Sequence, residues 1–285
     1  MSDENKLVKA IKDKGKNLEA EMSFFDHLEA LRWHLIRAAI AVVVLSIVAF
    51  LNYDFLFENF IMGPFRTDFW TYRMMCKLGD GFCITKPFNA EIINTEVAGQ
   101  FMLQINSSVL IGVILSIPYI LWEIWRFVKP ALLEKERKAA SGFVFWASLL
   151  FLLGIMFGYY VIAPESISFL ANYSVSKEIK NTFTIGSYLS MVATITLIIG
   201  IVFELPIFIY IMASIGILTG TFMKKTRRYA IVILLILGAV ISPSPDFFTT
   251  MIATLPLFVL YEVGIVVASI VERRRAKASE ELMKS

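Results

Sequence analysis

The sequence predicts an all-α integral membrane protein with six spanning helices, and three observations carry that prediction. Apolar residues make up 57% of the chain and charged residues only 18%, where a soluble domain carries about a quarter charged. The charges fall in a few short segments between long apolar runs, one of which, residues 142–162, holds no acidic or basic side chain over 21 residues. Lysine and arginine are also shared unequally between alternate connections. A helix needs roughly 20 apolar residues to cross the hydrocarbon core, and backbone amides in lipid must bond within their own segment, so the runs read as helices.

The opening residues are polar and carry Lys6, Lys9, Lys12, Lys14 and Lys16, with no apolar core of a cleavable signal peptide. Residues 1–22 read as a cytoplasmic tail. Residues 23–32 follow as an amphipathic helix lying near the inner surface, with Ser23 as its cap and Asp26 three residues on as a weak capping box. The apolar segments then run over 35–53, 101–122, 142–162, 185–217, 229–241 and 247–270.

Their orientation follows from the cations. Seven lysines and arginines lie in residues 1–37, five in 123–140, four in 214–229 and five after Ile270, so 21 of the 27 share one side. The other side holds Arg66, Arg73, Lys77, Lys86, Lys177 and Lys180. The richer side is cytoplasmic, and six spans place both termini there. The resulting layout is a transmembrane domain over 23–272, with outer loops at 54–97, 164–184 and 242–247, and a second cytoplasmic tail over 273–285.

Segment 229–241 reaches only ~20 Å at 1.5 Å per residue, against a core of ~30 Å. The turn from Ser242 to Asp246 carries Pro243 and Pro245, which stop the helix. Two readings stand: short spans under a thinned bilayer, or a re-entrant hairpin. Both keep Lys224 to Arg228 and Arg273 to Arg275 on one side, and the six-helix count adopts the first. Pro118, Pro206 and Pro256 lie inside spans and predict kinks that curve the bundle into a concave body.

The first outer loop is rich in aromatic residues, Trp70, Tyr72 and Phe82 among them, and reads as a small folded cap. It holds both cysteines of the chain, Cys76 and Cys83. A disulfide is the expected state on that side of the membrane, and no further cysteine or histidine stands nearby to complete a zinc site. His27 and His34 share a helix face but lack a third ligand, so no metal is expected.

Glu204 is the most informative single residue. A carboxylate inside a span costs a few kcal/mol and usually faces a bundle interior or a wet cavity, so Glu204 is expected to face a polar groove that a partner or cargo enters. Its bland alternative is a packing carboxylate satisfied by a neighbouring hydroxyl. The first inner loop combines Trp125, Phe127, Pro130, Glu134, Glu136 and Arg137. It reads either as a solvated, salt-bridged helix or as an acidic spot beside exposed aromatics, where a carboxylate takes a guanidinium in a bidentate pair that lysine cannot reproduce. Arg32 and Arg37 are expected to snorkel to headgroups. Hydrolase, metalloprotease, phosphate-loop and CxxC signatures are absent, and topology accounts for the basic residues, so neither an enzyme nor a nucleic-acid binder is expected, and no cofactor.

Several motifs taken together resemble the TatC family, the multispanning subunit of the twin-arginine protein translocase: His27-Leu28 with Leu31-Arg32; Trp125, Phe127, Pro130, Leu132 and Glu136-Arg137; Phe203-Glu204 with Pro206; Ser242-Pro243 with Pro245-Asp246; and Glu262 with Gly264. The resemblance runs from Phe24 to Arg273. It implies a subunit of the bacterial inner membrane that binds signal peptides bearing two consecutive arginines. Such a subunit exports folded proteins by the proton-motive force, alongside single-span TatA and TatB subunits and further copies of itself. Carried over by position, Glu136 is the loop carboxylate that receives an arginine, with Phe127 and Arg32 beside it. Glu204 is the buried carboxylate of the concave face, and Asp246 and Thr250 fall in a region of partner contact. The chain departs from the family at Ala30, where a second arginine-binding glutamate belongs; either Glu29 or Asp26 substitutes, or recognition rests on Glu136. The competing reading is a secondary transporter or channel for small solutes with Glu204 as its coupling site.

Overall fold

The computed structural model describes residues 24–78, 88, 90–128, 142–176, 178, 181–242 and 247–284. Helix α1 (Phe24–Leu51) runs unbroken over 28 residues. It contains no glycine or proline, so nothing removes a donor or loosens the ladder. The separate surface helix expected over 23–32 is therefore not seen: its described part forms the opening turns of the first spanning helix.

Helix α2 (Trp70–Leu78) and strand β1 (Ala90–Ile93) follow, then α3 (Gly99–Val128). Helix α4 (Phe143–Phe157) passes through one π-helical turn, Gly158–Ile162, into α5 (Ala163–Asn172). Strand β2 (Asn181–Thr184) leads into α6 (Ile185–Phe203) and α7 (Leu205–Ile215), and α8 (Gly220–Ile241) and α9 (Phe247–Lys284) complete the chain.

Among the described residues, five stretches combine the length and apolarity of a membrane span: Leu28–Leu51, Gly99–Phe127, Val144–Asn172, Ile185–Ile215 and Thr249–Ala276. The predicted fifth span, over 229–241, belongs to α8, which at 22 residues is ~33 Å long and so long enough. Lys224, Lys225, Arg227 and Arg228 occupy its first half, which is why apolarity alone does not make it a span. The predicted stop holds, since α8 ends at Ile241; Pro243 to Asp246 lie outside the described residues.

Two chain breaks have identifiable causes. Pro164 has no N–H to give the carbonyl of Tyr160 four residues back, and the Thr71 hydroxyl from α2 donates to that carbonyl instead. The fourth predicted span is two helices, not one kinked helix. Helix α6 closes on a Glu204 N–H to Ile201 bond of 3.0 Å, and Pro206 sits in the first turn of α7, where a missing N–H costs nothing. Pro118 and Pro256 do lie inside continuous helices, as predicted.

Helices α1 and α3 lie antiparallel. A Cβ on Gly112 would stand 2.6 Å from the Ser46 backbone nitrogen and 2.8 Å from its Cα, so only glycine lets the two backbones approach this closely. Helices α4 and α6 meet the same way at Gly154, whose added Cβ would lie 2.9 Å from Cα of Gly200. Ile162, Ile199, Phe203, Leu234 and Leu257 form the central buried cluster. An open cleft of about 550 Å³ separates α3 from α6 and is lined in part by Asn94, Met102, Asn106, Gly186 and Ser190.

The predicted cap is present. Tyr72 is 1% exposed, and its hydroxyl lies 2.9 Å from the carbonyls of both Pro64 and Pro164. Burial pushes that hydroxyl well above its ordinary pKa, so it remains a donor. Tyr188 at the start of α6 donates to the Ile61 carbonyl at 2.7 Å. Strands β1 and β2 pair in parallel, Ala90 with Asn181 through Ile93 with Thr184, and tie the first outer loop to the second. Cys76 is disulfide-bonded; the chain's other cysteine, Cys83, lies outside the described residues, as does Phe82.

Candidate functional site

The end of the bundle where α1 begins and α3 finishes carries an unusual charge. Glu123 is 1% exposed, and a carboxylate so placed is costly unless its oxygens are paired. Both are engaged. Tyr119, one turn earlier on α3, donates to Oε1 at 2.9 Å, and Nδ1 of His34 on α1 contacts Oε2. Two guanidinium groups add Coulombic support from slightly farther away: Arg37 Nη1 at 3.8 Å and Arg126 Nη1 at 3.9 Å.

Helical spacing explains the convergence. Tyr119, Glu123 and Phe127 stand at i, i+4 and i+8, on one face of α3. His34 and Arg37, three apart, share a face of α1. The antiparallel register that seats Ser46 against Gly112 also brings His34 to Glu123 and sets Ala30 level with Phe127. The Phe127 ring packs edge-on against His34, centroids 6.0 Å apart at 67°, and the Arg126 guanidinium lies 4.8 Å over the Trp122 ring, a cation–π contact.

The sequence-predicted site residues fall in several places. Phe127 is in this cluster. Arg32 and Glu29 are exposed on α1, and neither makes an ion pair among the described residues; the Arg32 guanidinium lies 5.9 Å over the Trp33 ring. Arg37, expected as a headgroup contact, is exposed and also lies 3.8 Å from the Glu123 carboxylate. His34 is engaged by Glu123; the side chains of Asp26 and His27 lie outside what is described. Glu136 and Asp246 lie outside the described residues, as do Pro130, Leu132, Glu134 and Arg137.

Glu204 occupies the break between α6 and α7, half-buried, and its Oε1 is buried without a hydrogen-bond partner among the described residues. Thr250 lies in the first turn of α9, and its carbonyl accepts from the Thr254 hydroxyl at 2.8 Å. The last two helices are clasped where Nε and Nη2 of Arg227 both donate to the Glu262 carboxylate, a bidentate fork. Near the start of α8, Gly220 N–H donates to Glu272 at 2.9 Å.

Sequence reasoning missed Glu123, His34 and Tyr119 as a unit. The signal was present: Glu123 is a lone carboxylate between Trp122 and Ile124, one turn before Phe127. Placing the second span's end at Trp122 moved it into the loop, where an acidic residue needs no explanation.

Comparison with known proteins places this geometry in a family. The family described as Sec-independent protein translocase protein (TatC) matches residues 26–256. The chain is 37% identical to the Sec-independent protein translocase protein TatC of Blattabacterium sp. subsp. Periplaneta americana over 266 residues, 91% of this chain and 100% of that protein. It is 31% identical to TatCy of Bacillus subtilis over 259 residues, 91% of this chain and 93% of that protein. A crystal structure of the twin arginine translocase receptor TatC superposes with a TM-score of 0.64 at 29% identity, covering 86% of this chain and 99% of that one. With that family matched over most of its residues and a relative 37% identical, the chain belongs to the TatC family of Sec-independent protein translocase proteins.

Proposed function

We propose that this chain is the receptor subunit of a twin-arginine translocase, binding signal peptides with paired arginines and passing folded proteins outward at the expense of the proton-motive force. Membership of the TatC family over nearly the whole chain carries this reading. The same match replaces the solute-transporter alternative, whose support was Glu204 alone. The lysine and arginine asymmetry supports a cytoplasmic location for both termini and for the end of the bundle holding Glu123 and Phe127. The 22-residue length of α8, ~33 Å, supports counting it as a sixth span.

On this reading an Arg-Arg signal peptide lies along the inner surface. Glu136 takes one guanidinium in a charge-assisted pair, with Phe127 and Arg32 lining its approach. Each such bond contributes ~1.5–3 kcal/mol when partly dehydrated. The second arginine goes to Glu29, whose exposure on α1 suits a ligand-facing carboxylate. The apolar part of the peptide enters the membrane beside the bundle. Glu204, Asp246 and Thr250 face partner helices of the TatA and TatB type, and the working complex holds several copies of this chain. The bridge at Cys76, closed with Cys83, stiffens the cap and takes no part in recognition.

A photoreactive residue at Lys135, next to Glu136, tests the reading in membranes containing the partner subunits. An Arg-Arg precursor crosslinks strongly and a Lys-Lys precursor weakly, because lysine cannot form the planar fork. Equal crosslinking of the two precursors rules the reading out.

A further inference from the structure

We infer that Glu123, acting through His34, is a positioning residue for the signal-peptide site: it fixes the last turn of α3 and so the approach of Phe127 to the incoming arginines. This inference rests on the receptor reading above. At 1% exposure Glu123 is out of reach of a peptide, so it is not a ligand in that reading.

Its placement is costly. An apolar pair of similar volume would close α1 on α3 as well or better, since desolvating a buried ion pair consumes most of its Coulombic gain. A buried polar contact instead admits one geometry, in which each oxygen must meet its donor. Here that geometry is transmitted outward along α3. His34, held by Oε2, presents its ring edge to Phe127 at 6.0 Å, one turn beyond Glu123. Arg126 is held between the Trp122 ring at 4.8 Å and Oε1 of Glu123 at 3.9 Å. Consecutive residues of the final turn are thereby fixed from two sides. The end of a helix is otherwise its least constrained part, with carbonyls unpaired.

Glu136 is only nine residues beyond Phe127. A small rotation of the last turn of α3 would displace the Phe127 ring relative to a peptide held by α1. Recognition by a bidentate fork depends on geometry as well as on charge. The charged and titratable groups facing Glu123 are His34 and Arg37 from α1 and Tyr119 and Arg126 from α3. The pair is set to hold orientation and not to supply a binding charge.

The test uses the full-length protein in lipid nanodiscs and fluorescent signal peptides, one Arg-Arg and one Lys-Lys, with thermal unfolding of each variant measured in parallel. Glu123→Gln keeps the volume and loses the charge; His34→Phe keeps a ring against Phe127 and loses the pairing nitrogen. Each is expected to weaken Arg-Arg binding about tenfold, and the double variant no further, since both remove one interaction. The exchanged pair, His34→Glu with Glu123→His, is expected to recover affinity to within about threefold of the original, which loss of packing alone would not allow. Arg-Arg affinity within twofold of the parent in both single variants, with the parent still preferring Arg-Arg to Lys-Lys, overturns the inference and leaves the receptor reading standing. A parent protein that does not distinguish the two peptides removes both.

Discussion

His34 and Glu123, 89 residues apart in the chain, meet through Nδ1 and Oε2 across the antiparallel pair α1 and α3. The contact closes one end of that pair, as the approach of Ser46 to Gly112 closes its middle. Both contacts depend on one register, and changing either tests the other.

Removing one partner of a buried pair leaves the other uncompensated. Glu123→Leu is therefore expected to destabilise the protein by about 3 kcal/mol, because His34 and Tyr119 lose their acceptor. Adding His34→Leu should recover most of that loss by replacing the pair with packed apolar surface. Denaturant titration in detergent for the two single variants and the double completes the cycle; additive losses would show that the residues do not act as a pair.

At Gly112 the obstacle is backbone, which cannot swing aside as a flexible side chain can. Gly112→Val should force the two helices apart and cost about 2–3 kcal/mol through overpacking. Ser46→Ala removes the hydroxyl but leaves the Ser46 nitrogen and Cα in place, so it should not rescue Gly112→Val. A melting temperature for Gly112→Val equal to that of the parent would place the helices farther apart than the structure has them.

Much of this architecture was legible in the sequence, and the exceptions have physical reasons. Long apolar runs fix spanning helices because lipid leaves the backbone no alternative, and so the starts of α3, α6 and α9 were readable within two residues, whereas their ends, where the apolar run outlasts or falls short of the helix, were not. The cap was readable from its aromatics, since Tyr72 and its neighbours must be buried somewhere. Strands β1 and β2 were not, because four residues show no period and their pairing joins positions 91 residues apart, Ala90 with Asn181. Pro206 looked like a kink and proved a helix start, a distinction set by whether the preceding carbonyls still find donors. Phe127 was found through its motif, whereas Glu123 was not, because its partner lies on another helix and only the fold brings them together.

The bridge at Cys76 gives a prediction about the division of labour between cap and site. A disulfide over a short loop contributes mainly by restricting the unfolded chain, typically about 2–3 kcal/mol. Cys76→Ser should lower the unfolding temperature and leave the Arg-Arg preference and export of a folded precursor intact at moderate temperature. Loss of recognition in a variant that remains folded would tie the cap to the opposite end of the bundle.

The carbonyl of Tyr160 offers the sharpest test of how the π-helical turn is maintained. Pro164 supplies no N–H to it, and Thr71, itself buried, donates its hydroxyl across from the cap. Thr71→Val keeps the shape of the side chain but leaves a buried acceptor unmet, which costs about 1–3 kcal/mol. Pro164→Ala alone restores a backbone donor and should be close to neutral, since Thr71 already satisfies the site. In the double variant the new N–H at position 164 can reach the Tyr160 carbonyl, so Thr71→Val should become nearly harmless. The expected result is thus a coupling of about 1 kcal/mol or more between residues on α2 and α5, read from unfolding of the four proteins in one detergent. If Thr71→Val costs the same with proline or alanine at position 164, the hydroxyl is not replacing the missing backbone bond, and the turn owes its shape to the packing of Tyr159 and Tyr160 against Phe69.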